Sequence, residues 1–150
     1  MEKLKKSLKI SSLCILLVTL SRLAFALMSY FKGNLEVTDD MIPEGFTREM
    51  ATASVMIVWV IGLIALLPSF YLGFKGLKIA KNPDNSKAHI IWAMIMLIFS
   101  VISVLSSVGQ LSSVKDLTMS ILDLSEVVLC AMLYFLYYLE AKKIRAHCQY

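Results

Sequence analysis

The twenty residues from His89 to Val108, HIIWAMIMLIFSVISVLSSV, contain no Asp, Glu, Lys or Arg. A helix rises 1.5 Å per residue, so a run of this length covers the roughly 30 Å hydrocarbon core of a bilayer. Three other stretches of the same kind accompany it, from Ile10 to Phe31, from Ala51 to Phe74 and from Leu117 to Leu139. The spacing predicts an all-α integral membrane protein of one domain, with four transmembrane helices in an antiparallel bundle over the 150 residues.

Composition agrees with this reading. Hydrophobic residues make up 58% of the chain and charged residues only 17%, against roughly 25% in a soluble domain. The mean hydropathy is +0.72. The charges collect in short clusters between the apolar runs, which is how a bilayer sorts a sequence. Punctuation supports the same division. Asn82-Pro83-Asp84-Asn85-Ser86 reads as a turn, with Pro83 stopping one helix and Asn85 or Ser86 placed to cap the next. Thr47, followed by Arg48 and Glu49, reads as an N-cap with a carboxylate in the first turn. The segments between spans are then a loop at 32–50, a loop at 75–88 and a tail at 140–150.

Orientation follows from the bias of Lys and Arg toward the cytoplasm. Lys3, Lys5, Lys6 and Lys9, then Lys75, Lys78, Lys81 and Lys87, then Lys142, Lys143 and Arg145 all fall on one side of a four-span chain. The opposite side receives the acidic loop with Glu36, Asp39, Asp40, Glu44 and Glu49 against Lys32 and Arg48, and a short link with Lys115 and Asp116. Both termini are therefore expected in the cytoplasm (N-in/C-in), the 32–50 loop outside and the 75–88 loop inside. The basic start, the apolar run from Leu13 to Leu20 and the triplet Ala24-Phe25-Ala26 have the outline of a cleavable signal peptide. Apolar character resumes beyond the triplet, and Arg22 stands just before it, which favours an uncleaved first span. The net charge of +4 is spread over segments without aromatic interleaving, so no nucleic-acid partner is expected.

Ionisable residues inside spans are the candidate site. Arg22 lies nine residues before Phe31 and Glu126 nine residues after Leu117, so each is expected about 14 Å inside the outer boundary. Asp123 sits one turn from Glu126 on the same face. Such residues cost about 3 kcal/mol each on insertion scales and usually face a bundle interior and pair. The trio is either a structural ion pair between the first and fourth spans or a proton or cation site, and the structural alternative is favoured.

Two stripes complete the pattern. Gly62, Ala65, Ser69, Gly73 and Gly76 fall on one narrow face at 100° per residue, a small-residue surface of the kind that lets helices approach closely in lipid. The third span carries His89, Ala93, Met96, Ser100, Ser103, Ser107 and Gln110 along one line, the serines forming a polar stripe. Pro68 is expected to kink the second span. His89 and His147 have no Cys, Asp or Glu at ligand spacing, so neither a metal nor a cofactor is expected. No phosphate-binding glycine loop and no nucleophile elbow is present. Cys14, Cys130 and Cys148 imply no disulfide framework.

The expected function is accordingly that of a small multi-pass membrane protein without enzymatic activity: an accessory, regulatory or immunity-type subunit acting through a membrane-protein partner. The alternative is a small oligomeric transporter or channel using Arg22, Asp123 and Glu126. The expected surroundings are the lipid bilayer, with anionic lipid at the cytoplasmic face, a partner or a homo-oligomer, and a cell membrane, with the bacterial cytoplasmic membrane favoured.

Overall fold

In the computed structural model, residues 2–31, 42, 45–83, 86–110 and 117–148 are described, with the backbone alone at 109–110, 117–120 and 122–123. Helix accounts for 92% of the described residues, and none of them is in a strand. The elements are α1 (Glu2–Phe31), α2 (Arg48–Ala65), α3 (Leu67–Lys81), α4 (Ala88–Gln110) and α5 (Leu117–His147). Four candidate spans are long and apolar enough to cross a membrane: Glu2–Phe31, Arg48–Lys81, Ala88–Val108 and Leu124–His147.

The helices outrun the apolar stretches. α1 starts at Glu2, α3 continues to Lys81 and α5 to His147, so the basic segments assigned to the loop at 75–88 and the tail at 140–150 are largely helical. Lys and Arg are good helix formers, and hydropathy marks where lipid ends, not where hydrogen bonding ends. Lys78 and Lys81 at the end of α3, with Arg145 and His147 at the end of α5, also lie where a helix dipole favours positive charge.

Local chemistry sets the other ends. Thr47 caps α2 as its sequence predicts: it is extended (φ −82°, ψ 156°), and its side chain accepts a hydrogen bond from the Met50 N–H at 3.3 Å. Gly45 precedes it with φ +87°, a conformation that suits glycine. α4 differs from expectation. It begins at Ala88, with the Ile90 and Ile91 N–H groups reaching the Lys87 carbonyl, so Lys87 holds the N-cap position predicted for Asn85 or Ser86. Asn85 lies outside the described residues.

Pro68 does more than bend a span. The helix is interrupted at Leu66, whose N–H bonds the Leu63 carbonyl at 3.1 Å in a tight i→i−3 turn. Proline has no N–H to return to Ile64, and it becomes the second residue of α3, where a missing donor costs nothing.

The chain divides into two compact units near this break: Met1–Val18 with Pro68–Tyr150, and Thr19–Leu67. In the larger unit, buried positions recur every three or four residues on each helix. Leu8 and Ile15 come from α1, Leu72 and Ile79 from α3, Ala93 from α4, and Cys130, Tyr134, Tyr137, Ala141 and Ile144 from α5. α4 packs directly on α5. In the smaller unit, Tyr30 stacks on Trp59 with ring centroids 5.2 Å apart, and the Trp59 Nε1–H donates to the Ala26 carbonyl at 3.4 Å.

Two glycines make the packing of α3 possible. A Cβ on Gly73 would lie 2.6 Å from Leu16 Cδ2, and one on Gly76 would meet Ser12 Oγ and lie 2.5 Å from Tyr137 Cε2. The Tyr137 ring is fully buried and rigid, so it has little room to yield. A Cβ on Gly62 of α2 would meet nothing within 4 Å among the described residues. Gly76→Ala is therefore expected to cost about 1–3 kcal/mol, whereas Gly62→Ala costs nothing and stabilises by up to about 1 kcal/mol through helix propensity. Reversible unfolding in mixed detergent micelles measures both; equal effects at the two positions would refute the packing assigned to Gly76.

Candidate functional site

The buried stripe of α5 continues past the apolar stretch. Tyr134, Tyr137 and Glu140 follow one another at intervals of three residues, and all three are buried, Glu140 with 8% of its surface exposed. Between them they meet α1, α3 and α4.

Glu140 faces α1. Ser7 Oγ donates to its Oε1, and Ser11 Oγ, one helical turn along, donates to Oε2 at 2.7 Å. Ser11 Oγ also lies 3.2 Å from the Leu8 carbonyl oxygen, and Ser12 Oγ donates to the same carbonyl at 2.6 Å. Burying a carboxylate costs several kcal/mol unless hydrogen bonds replace its lost hydration. Two hydroxyl donors, one on each oxygen, supply that replacement, and bonds to an ionised acceptor are about twice as strong as neutral ones. Glu140 therefore fixes α1 and α5 in one register.

Tyr137 lies one turn from Glu140. Its ring presses on the backbone of α3 at Gly76, and His89 at the start of α4 stands edge-on to it at 6.3 Å and 82°. His89 is itself buried, with 1% exposure. A further turn along, the Tyr134 hydroxyl shares a 2.6 Å hydrogen bond with Ser69 Oγ of α3. The result is a ladder on α5 that meets α1 through the hydrogen bonds of Glu140, α3 and α4 through the ring of Tyr137, and α3 again through the hydrogen bond of Tyr134. Interhelical hydrogen bonds of this kind contribute about 0.6 kcal/mol on average within a membrane.

The residues singled out from the sequence lie on several helices. Arg22 is half-buried on α1 in the smaller unit, Glu126 is exposed on α5 in the larger one, and the Asp123 side chain lies outside the described residues. The small-residue stripe divides at Leu66. Ser69, Gly73 and Gly76 are buried in the larger unit, while Gly62 and Ala65 on α2 are exposed. The line on α4 divides too. His89 and Ala93 are buried, Ser100 and Ser107 are half-buried, and Ser103 is exposed, its hydroxyl turned back to the Phe99 carbonyl at 3.0 Å. Cys14, Cys130 and Cys148 are free thiols. Among the described residues no group of three or more His, Cys, Asp or Glu converges as metal ligands would.

Glu140, Ser7 and Ser11 were not among the sequence candidates. The signal lay in the spacing. Glu126, Cys130, Tyr134, Tyr137, Glu140 and Ile144 follow one another at three or four residues, so the face of α5 carrying Glu126 also carries Glu140, and Ser7 and Ser11 stand at i and i+4 on α1.

No protein-family model, curated protein or solved structure matches this chain.

The tie between α1 and α5 is measurable by a double-mutant cycle of Ser11→Ala and Glu140→Gln. The expected coupling is about 1.5–3 kcal/mol, the range for a hydrogen bond to a charged group. Additive losses in detergent unfolding would show that the bond contributes nothing to stability.

Proposed function

We propose that the chain is a four-span membrane protein that acts without enzymatic chemistry, as an accessory, regulatory or immunity-type subunit bound to a membrane-protein partner. In this reading the spans form an antiparallel bundle in the cell membrane with the basic helix ends in the cytoplasm. The pairs Gly73 with Leu16 and Gly76 with Ser12 support α1 running opposite to α3, since the numbers rise on one helix as they fall on the other. The grouping of Lys and Arg supports the sidedness.

The observation that carries the partner reading is the division of the small-residue stripe. Where Gly73 and Gly76 lie, the chain's own side chains fill the space that the missing Cβ leaves. At Gly62 that space is open among the described residues, and Gly62 and Ala65 are both exposed. Of the residues of α2 only Ala51 is buried. Lipid tails are as apolar as leucine, so burial of oil-like area does not draw helices together in a bilayer; close backbone approach at small residues does. The open half of the stripe is built for a second helix, and within α2 it is the place where one can come closest.

Gly62→Leu fills that space without touching the packed core. It is expected to lower recovery of a stoichiometric partner from mildly solubilised native membranes at least about tenfold, with the unfolding midpoint not lowered. A chain that runs as an isolated monomer, with parent and variant alike, removes the partner reading. Proton and cation flux in proteoliposomes, abolished by Glu126→Gln, would replace it with the transport alternative.

A further inference from the structure

A cleft of about 890 Å³ lies in the larger unit, between the start of α1 and the end of α3. Lys3, Lys5, Lys6 and Lys9 of α1 line it together with Lys81 of α3, and Glu2 supplies one carboxylate against these five ammonium groups. The positions on α1 lie within about a turn and a half, and the chain has spent no other acidic side chain on the lining. Like charges gathered on two helices repel unless an anion joins them.

The floor is of opposite character. Leu13, Leu77 and Ala80 form it. From Leu13 the apolar surface continues along the same face of α1 through Leu17 and Leu20, both exposed, and from Leu77 along α3 to Phe74, also exposed. A basic mouth over an apolar floor that runs on into the apolar part of two candidate spans has the order of parts of a phospholipid: phosphate, glycerol, acyl chain. The volume is that of a small-molecule site. Lysine suits the position, because its stem lies along apolar surface while its ammonium stays at the interface. A free phosphate would use the mouth and leave the floor uncovered.

We propose that this cleft is a binding site for one anionic phospholipid, its headgroup phosphodiester held by Lys5, Lys9 and Lys81 and an acyl chain laid over Leu13 and Leu77. The site does not depend on the partner proposed above, and it differs from diffuse attraction of a basic surface in having an address on two helices. The test is native mass spectrometry of the full chain, purified in detergent and titrated with phosphatidylglycerol or phosphatidylcholine of the same acyl composition. The parent is expected to retain one phosphatidylglycerol at least about tenfold more strongly than phosphatidylcholine. Lys5→Gln, Lys9→Gln and Lys81→Gln together should abolish that preference, at about fivefold for each lysine. The corresponding Lys→Arg triple should keep it and serves as the control for folding. Lys142→Gln with Lys143→Gln, on α5 and outside the cleft, should change it less than twofold. Equal retention of the two lipids by the parent overturns the proposal, as does an equal loss in the α5 variant, which would mean diffuse surface attraction. Displacement of the lipid by millimolar inorganic phosphate would also overturn it, as a site for a free anion.

Discussion

The packed part of this protein depends on how closely α3 can approach its neighbours at Gly76. With no side chain there, Ser12 of α1 and the ring of Tyr137 on α5 both come against the α3 backbone. Tyr137 is thereby held fully buried, His89 finds its flat edge, and Glu140, one turn along the same face, is brought to Ser7 and Ser11. A methyl group at this one position would push apart three helices at once. The polar contacts above and below it would lose their geometry together, because each is only one turn away.

The polar ladder and the glycine contact serve the same end. Apolar surfaces alone specify little in lipid, where a helix face gains nothing from leaving its surroundings for another helix. Shape and hydrogen bonds must then choose the partner and the register. Ser69 with Tyr134 chooses for α3, and Glu140 with the two serines chooses for α1. A carboxylate is an exacting choice, since it is costly to bury in any arrangement that does not return two donors to it.

The four candidate spans were legible because a bilayer imposes a length, and a bend in the second because proline cannot donate a hydrogen bond; that the bend is a break at Leu66 was not. What escaped was everything that begins where hydropathy stops. Glu140 sits one residue beyond the apolar stretch and was assigned to a tail, although its helical face is the one that carries Tyr134 and Tyr137. The small-residue stripe was visible, but periodicity assumes an unbroken helix, and the turn at Leu66 leaves Gly62 and Gly73 with different surroundings.

The overhang of α1 and α5 has its own consequence. Thirty residues of α1 measure about 45 Å and thirty-one of α5 about 46 Å, some 15 Å more than the hydrocarbon core of a bilayer. The start of one and the finish of the other are clasped by Glu140, so in a membrane this surplus would stand clear of the lipid as a stiff paired stub. A water-soluble molecule could grip such a handle without entering the bilayer at all.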